Sequence, residues 1–352
     1  MKNFIKGGYG LLYNLIAGLT LAAVIGCSAW IPVLSLLVLG CVKMPAGSLF
    51  MAVQKEIWIA DIIESLWRNN QFLEYAFNAD QYVLAGKVVH IPQAGAAPAV
   101  SKNRGTLPAT VAKRTDTDIT YSIDEYTTDP ILIPNADTVE VSYDKRQSVL
   151  AETLSSISQT VADWMLFNWA PSSATQILRT SGALVTAHMP SATTTRKKFM
   201  MADLKAAQKL MDKQDVPLTD RYAMLSADMY DQITDEMTAT QYRDFSNTYD
   251  AAKGIMGEVY GFKIMKRSYV LCYDNTATPV VKQPGAAGAA TDNDAVLVWQ
   301  KNMVERALGT VDFFDNIGNP TYYGDIYSAL VRMGGRKRRT DDKGVIAIVQ
   351  TP

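Results

Sequence analysis

The chain has 352 residues, with 34 Lys and Arg against 35 Asp and Glu and 48% hydrophobic residues, the composition of a globular protein able to bury a proper core. Residues 1–50 hold Lys2, Lys6 and Lys43 and no acid, which leaves 31 basic and 35 acidic residues after them, a net of −4. A mildly acidic body argues against a protein whose main business is coating nucleic acid. Cys27, Cys41 and Cys272 include no CxxC pair, so a disulfide framework in the body and a cysteine zinc site are excluded as well.

A charge-free run extends from Gly7 to Val42, longer than the roughly 20 residues a helix needs to cross a bilayer. Lys2 and Lys6 before it fit a signal-like n-region or a positive-inside orientation. Gly26-Cys27 and Gly40-Cys41 loosely match lipoprotein processing signals, while Pro32 splits the run and Asn14 sits where lipid would be. The texture changes abruptly at Met51. Two readings stand: residues 1–50 are a membrane or signal segment, or they lie upstream of a start at Met51.

In the body, Ile59, Ile62, Ile63, Leu66 and Trp67 recur at helical spacing, which predicts an amphipathic helix over 58–77 with a break at Asn69-Asn70. Residues 82–91 are β-prone, and a Gly/Ala/Pro-rich connector follows. Ile119, Tyr121 and Ile123 then alternate with Thr120, Ser122 and Asp124, the period of a half-exposed strand. Two strands around a flexible tip make an extended hairpin arm whose apolar side needs a partner. Leu150, Leu154, Ile157, Val161, Trp164 and Met165 keep steps of three and four, so Asp144 to Trp169 reads as one helix about 39 Å long, stopped by Pro171.

From Thr175 to Thr195 the Ser/Thr/Ala-rich chain reads as loop. Residues 199–217 read as a second amphipathic helix, and "RYAMLSADMYDQI" as a strand running into a helix capped by Ser226. "GEVYGFKIMKRSYVL" reads as a strand pair, residues 278–294 as an exposed loop, and "AVLVWQ", "YYGDIYSALVRMGG" and "GVIAIVQ" as terminal strands. Helices and strands interleave without a βαβ repeat, which favours an α+β fold.

Chemistry-bearing patterns are scarce. His90 and His188 are the only histidines, and no GxSxG, HExxH or GxxxxGK[ST] occurs. Gly8-Tyr9-Gly10 begins a dinucleotide-like pattern that fails at Tyr13. Asp228, Asp231, Asp235 and Glu236 read as a solvated helix face. Arg336, Lys337, Arg338 and Arg339 form the one basic cluster, suited either to phosphate or an acidic neighbour or to a charged turn beside Asp341 and Asp342. Lys102, Arg104, Lys113 and Arg114 place positive charge on the arm near Asp116, Asp118, Asp124 and Glu125, a pattern of subunit-to-subunit charge pairing.

"IPNADTVEVSYDKRQSVLAETLSSISQTVADWMLFNWAP" (133–171) resembles the stretch that enters and forms the spine helix in major capsid proteins of tailed bacteriophages. "VPLTDRYAMLSADMYDQI", "GEVYGFKIMKRSYV" and the C-terminal stretch from Tyr322 are similar to the same family, in the form found in phages of Bacteroidetes-type hosts. The resemblance covers about 51–352 and implies the Hong-Kong-97 fold. An N-terminal arm would span 51–81, an E-loop 82–134, the spine helix of a peripheral domain 135–171, an axial domain 172–292 and returning peripheral strands 293–352.

The implied function is self-assembly, through pentamers and hexamers, into an icosahedral virion shell in the host cytoplasm. No cofactor and no enzymatic step are implied. Portal and scaffolding proteins and weakly contacted double-stranded DNA would be further partners, and a membrane only if residues 1–50 are a working segment. Candidate interface residues are then Trp58, Trp67 and Trp169 as aromatic anchors, Ile119, Tyr121 and Ile123 on the arm, and Lys102, Arg104, Lys113, Arg114, Arg336, Arg338 and Arg339 for charge pairing. Trp164 reads as intrachain core. The rival is a membrane-anchored or lipid-modified exported protein whose soluble domain is 51–352.

Overall fold

The structure is a computed structural model that describes residues 48–84, 88–93, 100, 102–105, 108, 111, 113, 115, 117–134 and 145–352, with backbone alone at 48–55, 84, 92–93, 117 and 145–150. The expectations for residues 1–47 and for Arg114 and Asp116 fall outside the described residues. Two compact units divide the chain, Met1–Ile57 and Trp58–Pro352. Of the first, the helix from Ser48 is described, with side chains at Glu56 and Ile57 only.

The helix α1 spans Ser48–Asn69 and gives way at the expected Asn-Asn break to a 3-10 turn, Gln71–Tyr75, that buries Phe72 and Leu73. The longest regular element is α2, Lys145–Trp169, about 37 Å of helix. Its residues Ile157, Val161, Met165 and Trp169 recur at fourth positions and are all buried. Three shorter helices follow, α3 (Met201–Lys213), α4 (Ala227–Glu236) and α5 (Ala239–Ser246). Ser226 caps α4 as its sequence predicts, its Oγ accepting from the Met229 amide at 3.4 Å.

A seven-stranded mixed sheet organises the larger unit. Its order is β11 (Gly257–Val259), β12 (Phe262–Arg267), β10 (Arg221–Ser226), β14 (Asn293–Gln300), β17 (Val345–Val349) and β7 (Ile177–Arg179), with β13 (Leu271–Tyr273) also on β14. Strands β10, β14 and β17 are buried at every residue, the signature of a sheet covered on both faces. Period two divides each between two cores. Tyr222, Met224, Leu297, Trp299, Val345 and Ala347 face α1, α2 and a long hairpin. Ala223, Leu225, Val296, Val298, Ile346 and Ile348 face α3, α4 and α5.

That hairpin is β15 (Val304–Asn319) with β16 (Gly324–Lys337). It heads a five-stranded sheet completed by β1 (Phe77–Asn78), β5 (Asp124–Thr127) and β6 (Ile131–Pro134). A separate three-stranded sheet, β2 (Val83–Leu84), β3 (Val88–Gln93) and β4 (Thr117–Ser122), is the arm, with Ile91 opposite Ile119.

Three expectations are corrected. The base of the arm does not wait for a partner: Val89 is fully buried and forms a small cluster with Ala79 and Ala307, flanked by Tyr121 and Ile123. The stretch 175–195 is not all loop. It carries β7, β8 (Leu184–Thr186) and β9 (Thr195–Lys197), and β7 owes its strand conformation to parallel pairing with β17 far along the chain. The terminal strands divide between the two sheets, β14 and β17 in the seven-stranded sheet and β16 in the other, in keeping with β14 and β17 being buried on both faces. Trp169, expected as a surface anchor, lies one helical turn past Met165 on the buried stripe, whereas Trp164, expected as core, is about 100° round the helix from Met165 and only half-buried, edge-on to Phe167.

Candidate assembly surfaces

The arm is fastened to the body at Glu305. This residue follows Val304 at the start of β15, and its side chain is only 3% exposed. Its Oε1 accepts from the Tyr121 hydroxyl of β4 at 3.2 Å, and its Oε2 stands 3.2 Å from Nε of Arg338. Its backbone oxygen accepts from Nε1 of Trp169 at 3.0 Å. One residue thereby ties the arm, the spine-like helix and the end of β16 together. Burial pushes the Glu305 carboxyl above the ordinary carboxylate range, and the Arg338 charge offsets this only in part. The Tyr121 phenol is pushed well up by burial and by the Glu305 charge beside it.

Trp169 is therefore no surface anchor. It is fully buried against Phe72 and Trp299, with ring centroids 5.7 Å away in each case, and cannot reach a neighbouring subunit. Trp58 and Trp67 are half-buried on α1. Trp58 stacks on Phe313 at 5.9 Å, and Trp67 lies beneath the Arg306 guanidinium at 4.1 Å. Ile119 is half-buried, while Ile123 packs on the cluster under the arm.

The C-terminal basic cluster separates into different roles. Arg338 is internal to the fold, paired with Glu305 and lying 4.0 Å over the Phe77 ring. Lys337 meets Asp342 at 2.8 Å. Asp342 also accepts from the Ser172 and Ser173 amides at 2.8 and 2.9 Å, just past the end of α2. Against the burial that would raise it, these contacts hold the Asp342 carboxyl below its ordinary value. Arg339 pairs with Asp341, whose carboxyl that guanidinium draws down to about 2. Arg336 is exposed and makes no ion pair with the described residues. Of the expected charge-pairing set, Arg336 and Arg339 stay at the surface, as do Lys102, Arg104 and Lys113 on the arm.

The two histidines are not brought into one site. His90 meets Asp118 across the β3–β4 pair at 2.5 Å. His188 bonds to Gln232 and Gln350 at 2.7 and 3.0 Å, near the Asp294 carboxylate that accepts from Ser226 Oγ. Among the described residues no cluster of His, Cys, Asp and Glu could hold a metal ion. Cys272 is buried and its thiol is pushed up to about 12 by burial, with further upward pressure from Asp292, which makes it a poor nucleophile. Within the described residues no helix is long and apolar enough to cross a membrane.

A long helix packed under a two-faced sheet, a three-stranded arm and a second long hairpin define a shell subunit of the Hong-Kong-97-like fold, in the α+β class. A family model described as "Phage capsid protein" matches residues 79–294, and the chain belongs to that family. It is a phage capsid protein, a structural component of the virion shell.

Solved phage capsids share the architecture. The capsid of Ralstonia phage GP4 superposes with TM-score 0.58 at 12% identity, covering 79% of this chain and 87% of that one. The cyanophage P-SCSP1u capsid gives 0.53 at 18%, covering 78% and 86%, and that of cyanophage Pam1 gives 0.54 at 11%, covering 79% and 91%. At these identities the likeness is one of fold. A search of curated proteins finds no match.

Proposed function

We propose that this chain forms the main shell of a tailed phage of a Bacteroidetes-type host, closing five- and six-fold rings into an icosahedron. The match of 79–294 to the phage capsid protein family is the observation that carries this reading. In this reading residues 51–81 act as the N-terminal arm, 82–134 as the E-loop, 135–171 as the spine helix, 172–292 as the axial domain and 293–352 as returning strands, with β14 and β17 lent to the axial sheet. The part of the arm beyond its buried base lies across a neighbouring subunit. Its exposed Lys102, Arg104 and Lys113 pair there with carboxylates, while Trp58, Trp67, Arg336 and Arg339 line further contacts between copies. Each contact is weak, and repetition around the rings makes the shell strong.

Portal and scaffolding proteins complete the assembly. The encapsidated DNA is met weakly, as suits a body of net negative charge. Sedimentation of the expressed full chain, followed by negative-stain imaging, tests the proposal. Capsomers or closed shells are expected, and a product that stays monomeric at all concentrations overturns it.

A further inference from the structure

Charge is segregated on the face of the seven-stranded sheet that carries α3, α4 and α5. Residues 196–213 hold six basic side chains against two acids, whereas 227–250 hold six acids against one base. The two stretches lie apart: α3 packs on β17 and β7 at one end of the sheet, and α4 and α5 pack on β10, β12 and β11 towards the other.

The basic end has an ordered geometry. Lys205, Lys209 and Lys213 stand four residues apart, so they form one row about 12 Å long on the exposed side of α3. Leu204, Ala207 and Met211 occupy the opposite, buried side. The two acids of the helix do not offset the row. Asp203 is buried and accepts from Ser181 Oγ at 2.6 Å and from the Met200 amide at 3.0 Å. Asp212 meets Arg221 at 2.8 Å. The three lysines make no ion pair with the described residues.

Composition decides what such a row fits. Lys and Ala are depleted where proteins meet proteins, and the centres of those interfaces need aromatic or other bulky anchors. Here the side chains exposed beside the lysines are Ala202 and Ala206. A surface for duplex DNA is instead polar and strongly positive. The duplex carries about one charge per 1.7 Å of its axis, so each ammonium of a straight row has a phosphate within reach. Lys, a compact hydrated point charge, holds phosphate without reading bases. We infer that α3 is a surface on which the encapsidated double-stranded DNA rests, with Lys205, Lys209 and Lys213 set against its phosphates. This rests on the capsid reading and names the residues that make the DNA contact.

Binding of a short fluorescent duplex of mixed sequence to the unassembled full chain, repeated over a series of salt concentrations, tests it. Log affinity falls with log salt by about 0.9 per phosphate neutralised, so Lys205→Gln, Lys209→Gln and Lys213→Gln together should make the slope shallower by about 2.7, and each alone by about 0.9. A duplex of unrelated sequence should give the same slopes. Lys266→Gln, at an exposed lysine over the Tyr230 ring, should leave the slope unchanged. All four positions are exposed, so equal thermal midpoints are expected and confirm that each variant folds. A triple variant with the slope of the parent, or a parent chain that does not bind the duplex at low salt, overturns the inference, while shells formed by the parent keep the capsid reading intact. A triple variant that binds DNA as the parent does but no longer assembles also overturns it, and makes α3 a contact between copies. A parent chain that forms no shell overturns the capsid reading and the inference with it.

Discussion

Replacing Glu305 is the sharpest perturbation of the body. Glu305→Ala removes the acceptor of the Tyr121 hydroxyl and the carboxylate beside Arg338, both at 3.2 Å. Removing one member of a fully buried ion pair costs about 3–5 kcal/mol. Arg338 keeps 27% exposure, the Asn302 carbonyl and the Phe77 face, so part of its charge stays solvated and bonded. A loss of about 2–3 kcal/mol is therefore expected, which for a unit of this size lowers the thermal midpoint by about 4–12 °C.

Glu305→Leu with Arg338→Met should recover much of the loss, because an apolar pair of similar volume often replaces a buried ion pair without penalty. The pH dependence has a definite sign. The folded-state pKa of Glu305 is raised, so its stabilising contribution is complete below the unfolded pKa and is lost as pH rises through the folded value. The deficit of Glu305→Gln against the parent should accordingly shrink on going from about pH 4 to about pH 7. Thermal unfolding of the unassembled subunit, followed by circular dichroism across that range, reads all three. A Glu305→Ala midpoint within about 1 °C of the parent, or a Glu305→Gln deficit that grows with pH, would refute the reasoning.

Trp169→Ala should cost about 3–5 kcal/mol and yield largely insoluble protein, whereas Trp58→Ala, at a half-buried site, should express as folded protein; comparable solubility of the two would contradict their assignment. Gly335 lies where an added Cβ would come within 2.5 Å of the Glu305 carbonyl oxygen, so Gly335→Ala should unfold the subunit at markedly lower temperature. Gly105→Ala, with nothing within 4 Å, should leave the midpoint unchanged. Asp342 has a depressed pKa, so its contribution is present above the unfolded carboxylate pKa and lost as pH falls through the folded one. Asp342→Asn should therefore be less stable than the parent near neutrality and converge on it in acid, a trend that urea titrations at several pH values will check. The residue's φ of 56° is one Asn tolerates, so that comparison isolates the charge.

The sequence was most legible where a single local period decided the structure. The α2 helix is found close to its expected span because its apolar stripe runs from Leu154 to Trp169, more than four turns. The β11–β12 pair is also found, its turn at Tyr260-Gly261 having φ of 51° and 73°, the left-handed values that glycine eases. What was missed is set by distant partners. Strand β15 escaped notice because its ladder is interrupted by a register shift between Leu308 and Val311, and its outer half is solvated, so no clean alternation survives.

The Glu305 junction was likewise invisible. A single glutamate between a valine and an arginine looks like surface, and only the approach of β4, α2 and β16 makes it a buried hub. The buried arm base was hidden for the same reason: Val89 and Tyr121 look half-exposed until Ala79 and Ala307 arrive from elsewhere in the chain. The groove between α2, β5 and β6 is assembled from 125–131 and 152–160 and has no contiguous signature in the sequence.

A cryo-electron microscopy reconstruction of particles assembled from the full chain tests the central claim most directly. A closed icosahedral shell is predicted, with the β3–β4 arm of each subunit crossing onto its neighbour and the α2 helix lying in the shell wall. Particles in which the arm folds back on its own subunit, or a preparation that yields no closed shell, would contradict it.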